Sequence, residues 1–206
     1  MTTSWPGAPT AWQFRAPRVE PRLHLAWLEA QLPRPIRIAR VHRLADVGGN
    51  MVINATGLGA RALTGDTALT GLFGQTVIVA PGGLDLGVSL HDDRDEAAMF
   101  YIIPRRDEIV VGGCIVARPD DDPLVPDADI SARIHRHAAT LGLAPGAVLR
   151  ERAGLRPFRP TVRVERDPDD GRVIHAYGHG GAGYTLARGC AEDVVALVSA
   201  GSTSTP

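Results

Sequence analysis

Apolar and polar residues alternate with changing period along the chain, and those changes divide it into elements. Met1 to Ala11 is polar, carries Pro and Gly, and reads as a flexible tail. Trp12 to Ala16 alternates and predicts a short strand. Leu23, Ala26, Trp27 and Ala30 fall at helical spacing in Pro21–Leu32, with Pro21 at the start and Pro33 and Pro35 as stops. Ile36 to Val41 reads as a strand. Met51 to Asn54 is a compact apolar strand that ends in the turn Ala55-Thr56-Gly57, with a short helix over Leu58–Leu63.

The centre is strand-rich. Gly74–Ala80, Leu84–Leu90, Ala98–Ile103 and Glu108–Gly113 predict an antiparallel meander, with turns at Pro81-Gly82-Gly83 and Arg105-Arg106-Asp107. Asp127–Leu141 is a helix with Ile130, Ile134 and Leu141 on one face. Val148–Gly154 and Thr161–Arg166 read as two strands, and Asp167–Gly171 as a turn. The strand Val173–Tyr177 then runs into Gly178, Gly180, Gly181 and Gly183. A helix follows, with Leu186, Cys190, Val194 and Leu197 at helical spacing. No internal repeat is present. The pattern predicts an α+β fold, mainly an antiparallel sheet flanked by helices.

Strand, glycine turn and helix form a geometry that brings bare backbone N–H groups and a positive helix end against a ligand. Gly178, Gly180 and Gly183 satisfy G-x-G-x-x-G, but a dinucleotide fingerprint opens a βαβ unit and has an acidic partner about 20 residues on. Neither follows here, so on its own this turn is better read as tight packing.

Composition narrows the function classes. The 206 residues suit one large domain or a domain and a part, and 44% hydrophobic content supports a core. A net charge of −1 gives no electrostatic basis for nucleic-acid or membrane-surface binding. All 22 basic residues are Arg, so each must be judged by position. Cys114 and Cys190 make neither a disulfide framework nor a metal cluster. Asp120–Asp122 lacks the spacing of a calcium loop and reads as solvated. His135 and His137 lie on different sides of their helix and cannot pair as ligands. No metal site is expected. Signal-peptide and peroxisomal signals are lacking, so a cytoplasmic protein is expected.

Four blocks, in order, change the reading: Val52-Ile53-Asn54-Ala55-Thr56-Gly57; Tyr101-Ile102-Ile103-Pro104; Glu151 to Pro160 with Arg163 and Glu165; and Val173 to Ala191, VIHAYGHGGAGYTLARGCA. Together they resemble the D-amino-acid oxidase family, which includes D-aspartate oxidase, from about Trp12 to Leu197. The resemblance implies FAD as cofactor and oxidative deamination of D-amino acids by O₂. The products would be 2-oxo acids, ammonia and hydrogen peroxide, formed by hydride transfer to flavin with no obligatory side-chain acid or base.

It also implies roles. Arg156 matches the arginine that clamps the substrate carboxylate, for which a guanidinium fork is suited. Tyr101 matches a tyrosine donating to the same carboxylate. Gly181 matches the glycine whose carbonyl receives the amine. Ala55, Thr56 and Gly57 match a turn beside the cofactor, and Gly180, Gly181, Gly183, Tyr184 and Thr185 match the turn and helix start facing the flavin. Arg152, Arg159 and Arg163 suit structural or surface ion pairs better. His175, Tyr177 and His179 are assigned to packing and hydrogen bonding. A second family tyrosine has no counterpart in the stretch Ala97 to Phe100.

The family's opening strand–GxGxxG–helix unit has no match, so an N-terminally truncated member is expected. Residues 12–170 would be the substrate domain, with a flavin-proximal segment near 51–63, and 171–200 the last strand, turn and helix of an α/β FAD-binding domain. Two further readings stand beside this one: a non-catalytic remnant that cannot hold FAD, and an FAD-independent module keeping the amino-acid pocket. D-aspartate oxidase is the near alternative and would need a second cation, for which Arg94 and His91 are candidates. The partners expected are a D-amino acid and O₂, and a homodimer is compatible with the sequence.

Overall fold

The computed structural model describes residues 2–5, 8–95, 99–118 and 122–201. The chain forms two compact units, each built from separated stretches. The first comprises Met1–Ile38, Gly74–Val116 and Pro123–Gly154; the second comprises Ala39–Phe73, Ala117–Asp122 and Leu155–Pro206.

In the first unit, β1 (Thr2–Trp5) and β2 (Ala8–Trp12) pair antiparallel, where the sequence predicted a tail followed by a strand over 12–16. Helix α1 (Pro21–Ala30) has Pro near its start, as expected, but buries none of its residues. The main sheet uses β4 (Thr70–Val79, entering this unit at Gly74), β5 (Leu90–Asp92), β6 (Phe100–Pro104) and β7 (Ile109–Gly112), in the order β4-β7-β6-β5, all antiparallel. Leu84–Leu90 is not a strand: the Asp85 carboxylate accepts from Gly87 N–H at 2.7 Å and turns the backbone. Leu84, Leu86 and Leu90 still pack on the core.

Helix α3 (Ala128–Thr140) covers this sheet through Ile134 and Ala138, with Leu141 just beyond, against Val77, Val79, Phe100, Ile102, Ile109 and Val111. Its start is fixed twice. The Asp127 side chain caps it, accepting from Asp129 and Ile130 N–H at 2.9 and 3.2 Å. Buried Gln75 exchanges bonds with the Asp127 backbone at 2.9 and 2.7 Å and donates to Ser131 Oγ at 2.7 Å.

The second unit orders its strands β3-β10-β9, where β3 is Val52–Asn54, β9 is Val148–Arg166 (entering this unit at Leu155) and β10 is Val173–His179. β10 is parallel to β3 and antiparallel to β9. The two strands predicted around the arginine–proline block are one strand, β9. Pro160 is tolerated because the ladder breaks there: β9 advances from Arg163 to Phe158 while β10 advances only from Tyr177 to His179. The short helix α2 (Gly59–Thr64) places Ala60 against Leu69 and Tyr177, with Leu58 beside them. A tight turn at Gly180–Ala182 leads into α4 (Gly183–Gly201).

Ile36–Val41 forms no strand; Ile36 and Ile38 are exposed, and no neighbouring strand completes a ladder. β8 (Val116–Ala117) is a two-residue strand. Asp120 and Asp121, and Ala97 and Ala98, lie outside the described residues. Mixed pairing with flanking helices makes the fold α+β, as the pattern predicted.

Candidate active site

The second unit gathers two of the four sequence blocks whole, and the third from Leu155 onward. From β3 the chain turns at Ala55-Thr56-Gly57, and Gly57 adopts φ +57°, a left-handed conformation that favours glycine. A Cβ on Gly57 would sit 3.8 Å from the Pro157 ring of β9. On the other side of β9, Gly180 (φ +57°) lies against the Phe158 ring, at 3.3 Å from a notional Cβ. Gly181 faces Arg156: its notional Cβ lies 3.4 Å from Arg156 Cδ and 3.6 Å from Nε. Arg156 is half-buried, and its guanidinium Nη1 donates to the Phe73 carbonyl at 3.3 Å. Thus Arg156 and Gly181, matched separately to the carboxylate and the amine of a substrate, are neighbours.

Helix α4 starts immediately after this turn. Gly183 is its first residue, and Tyr184 and Thr185 are exposed on its first turn. The first N–H groups of a helix have no partner within it and carry the positive end of its dipole. Bare glycine backbone at 57, 180, 181 and 183, with those N–H groups, suits a flat, hydrogen-bonding group that gains negative charge on reduction, such as a flavin ring. The residues present fit that cofactor.

Two other arginines of β9 are committed elsewhere. Arg159 Nε pairs with Asp66 at 3.0 Å, and Arg163 Nε pairs with Glu165 at 2.7 Å. Tyr177 Oη donates to Asp66 at 2.9 Å and accepts from Arg163 Nη1 at 2.8 Å, while Thr64 Oγ1 lies 3.3 Å away. Burial would raise the Asp66 carboxyl, but the bonds from Tyr177 Oη, Ala68 N–H and Arg159 outweigh it and hold the carboxyl below the usual carboxylate range. The cluster ties α2, β9 and β10 together. His179 Nε2 lies 3.1 Å from Cys190 Sγ, linking the turn to α4.

A buried polar chain, not anticipated from the sequence, runs beneath the Thr56 turn. His175 and Asn54 are 0% and 1% exposed. His175 Nε2 is 2.8 Å from Asp167 Oδ2, and Asn54 Nδ2 is 3.1 Å from His175 Nδ1. Asn54 Oδ1 accepts from the Thr56 hydroxyl at 2.7 Å. The bond from His175, aided by the N–H groups of Asp170 and Asp169, lowers the Asp167 pKa. The sequence assigned His175 to packing and hydrogen bonding; its partner follows from the strand register, which sets His175 opposite Asn54 in the parallel pair.

Tyr101 lies in the first unit, on β6. Its half-buried ring rests on the Gly112-Gly113 backbone: a Cβ at either glycine would come within 2.7 Å of it. His91 tilts against the ring with centroids 5.9 Å apart. Arg94, a candidate second cation, grips Asp92 through Nε at 2.8 Å and Nη2 at 2.6 Å. Asp92 also meets His137 Nε2 at 2.9 Å, and the His137 ring stacks on Phe100. Among the described residues, no cluster of metal-ligating side chains occurs, and no helix is long and apolar enough to cross a membrane.

Solved structures of two oxidases share this fold. The fold is similar to glycine oxidase from Bacillus cereus, with a TM-score of 0.61 at 19% identity over 73% of this chain and 42% of that one. Iminodiacetate oxidase from Chelativorans sp. BNC1 gives a TM-score of 0.62 at 16% identity, over 75% and 43%. Residues 31–197 match the DAO family of FAD-dependent oxidoreductases, and the chain belongs to that family. It is 37% identical to D-amino-acid oxidase of Streptomyces coelicolor over 192 residues, covering 90% of this chain and 59% of that protein. It is 36% identical to D-amino-acid oxidase of Rubrobacter xylanophilus, covering 95% and 61%, and 31% identical to human D-aspartate oxidase, covering 90% and 56%. The chain thus spans about three-fifths of the length of these relatives. The family's cofactor is FAD.

Proposed function

We propose that this chain provides the substrate-binding sheet and the flavin-facing turns of an oxidase acting on D-amino acids. The reaction is D-amino acid, water and O₂ giving a 2-oxo acid, ammonia and hydrogen peroxide. Bound FAD supplies the acceptor for the hydride leaving the α-carbon.

The observation that supports this reading most is the proximity of Arg156 to Gly181, whose notional Cβ would lie 3.4 Å from Arg156 Cδ. Arg156 pairs with the substrate carboxylate through its planar fork, which fixes orientation as well as charge. The Gly181 carbonyl accepts from the amine. Two anchors on one small group set the face that the α-hydrogen presents, which is the requirement for selecting D over L. Tyr101 is assigned as a second donor to the carboxylate on the strength of its motif. No side chain is needed as acid or base.

A neutral side chain on the substrate is favoured over an acidic one by the state of Arg94. Its charge is matched by Asp92 through two bonds. A second carboxylate would meet a guanidinium whose charge Asp92 already balances.

The test is peroxide formation from D-alanine, L-alanine and D-aspartate by the FAD-supplied protein, with Arg156→Ala beside it. The reading expects activity on D-alanine, none on L-alanine, and a KM for D-alanine raised at least ~100-fold by Arg156→Ala with FAD uptake intact, since truncating one side of a charge-assisted pair costs ~3 kcal/mol. A near-normal KM would remove Arg156 from the site. Preference for D-aspartate would replace the neutral-substrate reading with the acidic one.

A further inference from the structure

Thr56 is exposed on the turn after β3, yet its hydroxyl is not free to choose its role. It points back to Asn54 Oδ1 at 2.7 Å, and Thr56 N–H approaches the same oxygen at 3.4 Å. That oxygen faces Thr56 because the other end of the amide, Nδ2, faces His175 Nδ1 at 3.1 Å. An amide N–H₂ only donates, so Nδ1 must be the unprotonated ring nitrogen. The ring proton then sits on Nε2, where Asp167 Oδ2 accepts it at 2.8 Å. Each choice forces the next: carboxylate, tautomer, amide orientation, hydroxyl direction. His175 and Asn54 are cut off from water, so an unmatched donor or acceptor at either would be costly.

We infer that Asp167, His175 and Asn54 are positioning residues that draw the Thr56 hydroxyl proton inward, so that Thr56 meets the cofactor as a hydrogen-bond acceptor for an FAD hydroxyl or N–H. This rests on the reading that the Thr56 turn contacts FAD. The relay acts through Thr56 alone; none of its three members is a catalytic residue. The chemistry it selects is a donor group on the ligand, because Thr56 outwardly presents only lone pairs.

The experiment has two arms on the full chain. Long-range ¹⁵N–¹H NMR of the histidine rings reads the tautomer without any flavin: His175 is expected with Nε2 protonated and Nδ1 bare. A protonated Nδ1 overturns the relay. The second arm measures the FAD dissociation constant, by flavin fluorescence, for the unsubstituted chain, Thr56→Ser, Thr56→Val, Asn54→Leu and the Thr56→Val/Asn54→Leu double variant. Thr56→Ser keeps the hydroxyl and should bind as the unsubstituted chain does. Thr56→Val should weaken binding ~10-fold, the equivalent of one hydrogen bond. Asn54→Leu should weaken it several-fold, and the double variant no more than Thr56→Val alone, because both changes remove the same interaction. Multiplying losses in the double variant would make Asn54 merely structural and overturn the inference, as would an unchanged constant in Thr56→Val. If none of the chains, the unsubstituted one included, takes up flavin, the cofactor reading itself fails, and the inference with it. Uptake by the unsubstituted chain with no response to Thr56→Val would sink the inference alone.

Discussion

Two glycines three residues apart, Gly178 and Gly181, should respond in opposite ways to the same added methyl group. Gly178 holds φ +91°, and a Cβ there would stand 2.7 Å from Arg159 Cβ. That neighbour cannot swing aside cheaply: Arg159 Nε is tied to Asp66 at 3.0 Å and Nη1 to the Thr161 carbonyl at 2.8 Å. An L side chain forced to positive φ costs ~1–2 kcal/mol, and overpacking a fixed neighbour ~1–3 kcal/mol. Gly178→Ala should therefore lose ~3 kcal/mol, a large share of the ~5–15 kcal/mol available to a domain. Gly181 has no positive φ, and its Cβ would meet Arg156 Cδ at 3.4 Å, close to ordinary contact. Gly181→Ala should change stability by less than ~0.5 kcal/mol, yet its methyl would occupy the space facing Arg156 and weaken a carboxylate ligand ~10-fold. Urea denaturation of the three chains, followed by far-UV circular dichroism, measures the first quantity. Titration of the FAD-supplied chains with D-alanine measures the second. Equal unfolding midpoints for Gly178→Ala and the parent chain would refute the packing argument. Equal ligand affinity for Gly181→Ala and the parent would refute the placing of the site.

Tyr177→Phe should cost ~2 kcal/mol by urea denaturation, because the hydroxyl bridges Asp66 and Arg163, while Arg159 and Glu165 still partner those charges. Gly112→Ala should destabilise the first unit by ~1–3 kcal/mol, since its Cβ would meet the Tyr101 ring at 2.7 Å; Tyr101→Ala in the same chain should recover part of that loss. Acid should weaken the fold through Asp92, whose carboxyl Arg94 holds well below the usual range. A depressed folded-state pKa gives stability that is full above the unfolded value of about 4 and is lost as pH falls through the folded value. The stability gap between the parent chain and Asp92→Asn should therefore be constant from pH 7 to about 5 and shrink progressively below about 4; a gap that widens on acidification would reverse the sign of the argument.

Much of the fold was legible where hydrophobic runs are bounded by Gly or Pro. β3, β7, α1, α3, β10 and the glycine turn fall close to their predicted places. Legibility ended where tertiary pairing decides. Ile36 and Ile38 alternate like a strand but pair with no strand among the described residues, whereas Pro160 looks like a strand breaker and sits in a strand because its ladder is bulged there. Leu84, Leu86 and Leu90 have strand spacing and core contacts, but Asp85 diverts the backbone between them. Arg156 and Gly181 were legible as motif positions; that they are neighbours depends on how the turn folds back beside β9. The Asp167–His175–Asn54 relay was not legible, because its members come from two strands and a turn and share no periodicity. The glycines under Tyr101 could have been suspected from two adjacent glycines closing the β-run Ile109–Gly112.

The proposed function depends on the turns at 55–57 and 180–185 holding FAD in this chain. The most direct measurement is the visible absorbance spectrum of the purified protein after incubation with FAD and removal of free flavin. Retained flavin bands, lost on adding D-alanine without oxygen and restored by air, are the predicted result. A colourless protein would contradict the account and assign cofactor binding to more of the family architecture than these 206 residues contain.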